Sequence, residues 1–239
     1  MTPKVRTRLF ERIFDTTSGI FDRLPIPREP QLMRYISEVL EPAVVGARPD
    51  AIAAYDAVLA TEIGAREIGA GEIGAGETGA GEAGADGDVA ADRAVGLNTV
   101  GLLCDRLSIL TIKYWKLKHH YGKPEAADEL ATTQVREMIA ALALARRGFS
   151  SINNKVTNRD VSAKATSFAE AFYGLQTVNL LIWESQEVLY TRDISVVSAE
   201  ELRAYVAYFS LQNLTRNVFI DRADTLFWQG VDGAPGRSS

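Results

Sequence analysis

Residues Leu97 to Tyr121, LNTVGLLCDRLSILTIKYWKLKHHY, form the longest well-patterned segment of the chain. Leu97, Val100, Cys104, Leu107, Tyr114 and Leu117 recur mostly three or four residues apart, which is the spacing of one helix face. Leu103, Ile109, Leu110 and Ile112 widen that face, so the helix is expected to touch more than one neighbour. A helix of roughly 24 residues reaches roughly 36 Å and needs packing along its length to persist in water. Gly122 supplies a stop, and Pro124 lies near the start of the next helix.

Three further long helices follow from the same periodicity. One is expected over Pro124 to Arg147 and one over Val161 to Tyr190. The last opens on Ser198 with Glu201 three residues on, a capping box, and continues toward Trp228. Four long helices in succession predict an all-α fold with a bundle-like core. Nothing repeats the strand-helix rhythm of a dinucleotide fold.

Shorter elements precede them. Val5, Leu9, Phe10, Ile13 and Phe14 make an amphipathic N-terminal helix expected to dock on the body. PIPREP is a connector, since three prolines in six residues resist a helix. Short helices are expected over Gln31–Leu40 and, after Pro49, over Asp50–Ala60.

Glu62 then begins a five-residue repeat, EIGAR EIGAG EIGAG ETGAG EAGAD. Glycine recurs too often for stable helix or strand interiors. The period matches neither a heptad nor collagen, and no Gly-Lys-Ser or Gly-Lys-Thr ending marks a phosphate loop. Thr61 to about Asp92 is therefore expected to be a flexible, disordered acidic insertion. The expected organisation is N-terminal helical segments over 1–60, the insertion over 61–93, the main bundle over 94–229 and a disordered tail over 230–239.

Charge and composition remove several function classes. The formal charge is −5, and the stretch from Thr61 to Arg93 holds eight acids and two arginines, a local −6. The remainder is near neutral, without the basic field of a nucleic-acid binder. No apolar run reaches transmembrane length, and the N-terminus lacks a signal-peptide core, so a cytoplasmic protein without integral membrane association is expected. The single cysteine, Cys104, sits in the apolar pattern and is expected to be a small buried side chain. His119 and His120 are adjacent and diverge on a helix, so no metal site is expected, and no cofactor is implied.

What remains is a set of polar groups beside apolar helix faces. Arg106 and Lys113 lie two turns apart near one side and can hold a carboxylate or phosphate, as can Lys155. Asn179 can orient such a ligand, Trp183 can cover a planar portion, and Glu187 stands one turn beyond Glu184. Asp105 or Glu184 can move a proton where burial raises its pKa. The expected site therefore has Asp105 and Glu184 as catalytic groups, with Arg106, Lys113, Lys155, Asn179, Trp183 and Glu187 binding substrate. The same residues equally fit a closed structural network, with Asp105 holding a lysine or arginine across the bundle and Trp183 as ordinary packing.

DRLSILTIKYW (105–115) and VNLLIWESQE (178–187) together resemble an uncharacterised family of small all-helical bacterial proteins. Its members carry an Asp-Arg/Lys-Leu-Ser-Ile-Leu segment followed by Ile-Lys and Trp, then an Asn-x-x-Leu-Trp-x-x-Glu-like segment. Here the second reads Asn179, Ile182, Trp183 and Glu187, with isoleucine in place of the usual leucine. The resemblance spans about Leu97 to Arg192. It implies an all-helical fold and one site shared by the two segments, and brings no activity with it. Two functions stand as expectations. One is a small biosynthetic enzyme or binding protein for a small anionic metabolite. The other is a non-catalytic, homo-oligomeric helical interaction protein.

Overall fold

The structure is a computed structural model in which residues 3–22, 41–69, 99–143, 145, 164–191 and 193–232 are described. Six α-helices and no β-strand occur among them, so the fold is all-α. They are α1 (Pro3–Phe21), α2 (Glu41–Gly69), α3 (Val100–Trp115), α4 (Pro124–Ala143), α5 (Phe168–Thr191) and α6 (Ala199–Asp232). A π-helical turn, Lys116–His120, prolongs α3, and a 3₁₀ turn, Ile194–Val196, links α5 to α6.

The central element is α3, which packs on α1, α4, α5 and α6. Val100, Leu103, Cys104, Leu107, Leu110, Ile112 and Trp115 are all buried, on more than one side of the helix. A single amphipathic stripe would serve one neighbour; this breadth serves four. Thr99 caps the start, its side-chain oxygen accepting from the Leu102 N–H at 3.2 Å. At the other end Gly122 adopts φ +63°, a left-handed conformation that glycine takes without a Cβ penalty. The Lys123 N–H donates back to the Leu117 carbonyl at 2.7 Å, and α4 opens on Pro124.

Side-chain pairs give the helix directions. Gly101 meets Asp224 and Asp105 meets Arg216, so α6 runs antiparallel to α3. Asp105 meets Asn179 and Lys116 meets Glu187, so α5 runs parallel to α3. Tyr114 reaches Asp128 across the α3–α4 hairpin. Gly101 lies where α6 crosses closest, and a Cβ there would collide with the Ile220 carbonyl. The N-terminal helix docks on the body as expected, burying Phe10, Ile13 and Phe21. Thr17 of α1, Tyr55 of α2 and Gln176 of α5 join in a buried hydrogen-bonded triad, with Gln176 donating to Thr17 at 2.7 Å and Tyr55 donating to Gln176 at 2.5 Å.

Several expected boundaries are corrected. The central helix begins at Val100 rather than Leu97, because Thr99 caps it, and the helix expected to reach Arg147 ends at Ala143, with Ala145 outside it. The short helix expected after Pro49 instead begins at Glu41, with Pro49 inside it. Proline costs the helix a hydrogen bond, yet Ala51, Tyr55 and Val58 gain burial against the body. The same helix runs on to Gly69, into the repeat tract. The helix expected from Val161 starts at Phe168 because Ser167 and Glu170 form a cap that periodicity alone does not show. The Ser167 hydroxyl accepts from the Glu170 N–H at 3.2 Å, and the Glu170 carboxylate accepts from the Thr166 N–H at 2.7 Å. By contrast the Ser198 cap stands as expected, accepting from the Glu201 N–H at 3.1 Å. The PIPREP connector, the Gln31–Leu40 helix, residues 70–98 of the repeat tract, Arg147, Asn153–Lys155 and the tail from 233 lie outside the described residues.

Candidate functional site

The polar residues of α3 and α5 gather in three places. The first is a closed core network. Asp105 takes a bidentate ion pair from the Arg216 guanidinium of α6, with Arg216 Nε donating to Oδ1 at 2.7 Å and Nη2 to Oδ2. The Asn179 amide donates to Asp105 Oδ1 at 2.9 Å and to the Ser108 hydroxyl at 2.5 Å. Asp105, Ser108 and Asn179 are buried, and three helices are tied together at one level. The two segments singled out in sequence therefore do meet, at Asp105 and Asn179. Nearby Cys104 is fully buried, and burial pushes its thiol pKa well up, with Asp224 and Asp105 adding to the effect.

The second place surrounds a lysine that the sequence pattern passed over. The Lys116 side chain is 1% exposed, and its Nζ lies 2.5 Å from Glu184 Oε1 and 2.8 Å from Glu187 Oε2. Tyr121, just past the π-helical turn, donates its hydroxyl to the other Glu187 oxygen. Burial pushes the Glu184 carboxyl above the usual range, an effect only partly offset by Lys116 and reinforced by Glu187. Burial acts the same way on Glu187, but the Lys116 ammonium and the Tyr121 hydroxyl together hold that carboxyl below the usual range. Burial and the adjacent Glu187 push the Tyr121 phenol up to about 12. Such π-turns often mark functional positions, because the wider turn re-aims side chains. Glu187 and Tyr121 also line a cleft of about 220 Å³ with Trp183, Gln186, Tyr190 and Thr191.

The third place is a groove of about 230 Å³ between α3 and α4. It is lined by Arg106, Ile109, Leu110, Lys113, Gln134, Glu137, Met138 and Ala141. Arg106 is exposed and Lys113 half-buried, and no ion pair reaches either from another described residue. Thus Arg106 and Lys113 share one groove, Asp105 and Asn179 share the core network, and Trp183, Glu184 and Glu187 share the cleft region. Lys155 lies outside the described residues.

Lys116 had a readable signal. Asp105, Ile109, Ile112 and Lys116 follow one another at intervals of four, three and four residues, so Lys116 falls on the buried line that carries Asp105. A charge on that line, facing the Glu184–Glu187 pair, marks an internal ion pair. Arg216 lies between Asn213 and Asn217 in the sequence of α6, and only the helix crossing selects it.

No group of histidine, cysteine and carboxylate side chains suited to a metal occurs among the described residues. No described helix is long and apolar enough to cross a membrane. Comparisons with family models, curated proteins and solved structures return no match to this chain.

Proposed function

We propose that this chain binds a small anionic metabolite in the groove between α3 and α4, with Arg106 and Lys113 as its anchors. One observation carries this: two cations two helical turns apart open onto the same groove, against one acid, Glu137. The guanidinium fork matches a carboxylate or phosphate in two contacts, while the lysine adds a mobile point charge. Gln134 adds an amide, and Ile109, Leu110, Met138 and Ala141 give an apolar floor. The volume lies below the ~300–1,000 Å³ of drug-sized sites, so the ligand is a small one. Glu137 is the carboxylate within this groove, so proton transfer to a ligand held there falls to it. Asp105 is occupied by Arg216, and Glu184 by Lys116.

The test is unbiased capture of metabolites by the full chain, read by mass spectrometry, with the double variant Arg106→Ala/Lys113→Ala beside it. Arg106 is exposed and Lys113 only half-buried, and circular dichroism of the variant checks that the fold persists. The expected result is one or more small anions enriched by the native chain and lost from the variant. Equal enrichment by both, or no enriched anion, removes the proposal.

A homo-oligomeric reading rests on a different observation. Tyr190 (84% exposed), Ile194, Val196 (71% exposed), Leu202 and Val206 lie exposed around the α5–α6 turn. Exposed apolar side chains gathered near one turn fit burial against a second copy. Sedimentation of the native chain beside Val196→Glu/Val206→Glu decides it, a shift to a lighter species being expected and an unchanged monomer ruling it out.

A further inference from the structure

The cleft at the end of α5 differs in chemistry from the α3–α4 groove and shares no lining residue with it. Three of its six walls are aromatic: Tyr121, Trp183 and Tyr190. Its charge comes from the cluster behind it. Lys116 carries one positive charge and Glu184 and Glu187 two negative ones, leaving a surplus of one negative charge. The surplus faces the cleft, because Glu187 lines it at 15% side-chain exposure while Glu184 stays inside at 5%. His120 adds no compensating charge at neutral pH, since burial and then Lys116 lower its pKa. Glu187 Oε2 is buried against Lys116, so Oε1, which accepts from the Tyr121 hydroxyl, is the oxygen left for a further partner.

We infer that this cleft binds a small organic cation, an alkylammonium or quaternary ammonium group lying against the rings of Tyr121, Trp183 and Tyr190 with Glu187 as its counter-charge. Aromatic faces attract such cations through their quadrupoles, and a carboxylate at the edge sets the sign. An anion entering here meets the unbalanced glutamate. A neutral ligand of the same shape gains the apolar contact alone. Lys116 does not repel the ligand, because its ammonium is buried and outweighed by two carboxylates.

The experiment titrates the full chain with choline and with tetramethylammonium, read by calorimetry and tryptophan fluorescence. The neutral isostere 3,3-dimethylbutan-1-ol and the variants Glu187→Gln and Tyr190→Ala run in parallel. Glu187→Gln leaves Lys116 paired with Glu184. Tyr190 is 84% exposed, so its loss tests the wall without disturbing the core. The expected result is saturable binding of both cations, weaker by about tenfold for the isostere and for Glu187→Gln. For Tyr190→Ala the expected result is weaker binding at an unchanged melting temperature. No saturable binding at roughly 10 mM of either cation overturns the inference. So does equal affinity for the isostere, or unaltered affinity in Glu187→Gln.

Discussion

Replacing Lys116 by methionine keeps the length of the side chain and removes its charge. Two carboxylates one turn apart are then left facing each other, one of them almost wholly buried. Removing one partner of a buried ion pair costs about 3–5 kcal/mol, since the remaining charge is neither solvated nor paired. That is a large share of the roughly 5–15 kcal/mol that holds a domain folded. The loss depends on pH in a defined sense. Burial already raises the Glu184 carboxyl pKa, and Lys116 is the group that lowers it. Without the ammonium that pKa rises further above its unfolded value. A proton held more tightly in the fold favours the fold at low pH, and this contribution fades as pH climbs through the folded pKa. Lys116→Met is therefore expected to lose about 3–5 kcal/mol near neutral pH and about 1 kcal/mol in mild acid. The triple variant Lys116→Met/Glu184→Gln/Glu187→Gln is expected to recover most of the loss, having no buried charge left. Urea unfolding followed by circular dichroism measures each variant, with an unchanged m-value confirming that the compared states are the same. A loss below about 1 kcal/mol that is also independent of pH would refute the buried clasp.

Three further outcomes follow from the same geometry. Gly101→Ala should cost at least about 2 kcal/mol in chemical denaturation, because α6 has to move off the new methyl group; a neutral result would contradict the close crossing. Burial and the neighbouring Asp224 raise Asp221 from 3.8 to about 6, so its stabilising proton is fully present below its unfolded pKa and lost as pH rises through 6. Asp221→Asn should thus match the native chain in acid and exceed it above pH 7 by on the order of 1 kcal/mol, a figure reduced for its partial exposure, and parallel melting curves at all pH values would exclude this. Asn179→Leu removes the amide that serves both Asp105 and Ser108, and thermal melts should show a loss of about 2 kcal/mol, with no loss if the network is slack.

The helices were legible where one residue type does one job. Gly122 followed by Pro124 and Ser198 with Glu201 each fix a local geometry that the structure keeps, and the periodicity of the central segment is kept over Val100–Trp115, after the Thr99 cap and before the π-helical turn. Pro49 misled because a local cost was outweighed by distant burial of Ala51 and Tyr55, which no window of sequence contains. The candidate site divides in the same way. Polar residues set among apolar ones were visible at Asp105, Asn179 and Glu184, and all three are buried. Arg216, the partner of Asp105, depends on which helices cross and at what level. So does the allocation of Arg106 and Lys113 to a groove of their own.

The parallel course of α3 and α5 places two hairpins, α3–α4 and α5–α6, side by side with a long crossover in sequence between them. Each hairpin can assemble from neighbours in the chain, whereas Asp105 and Asn179 are 74 residues apart and Asp105 and Arg216 are 111 apart. Lys116 with its two glutamates marks one level of the docked pair, and Asp105 with Arg216 marks another. Sliding one hairpin by a single turn would strand charge at both levels at once. The internal ion pairs then act as a key that admits one docking register, and greasy faces that would tolerate several are held to that one.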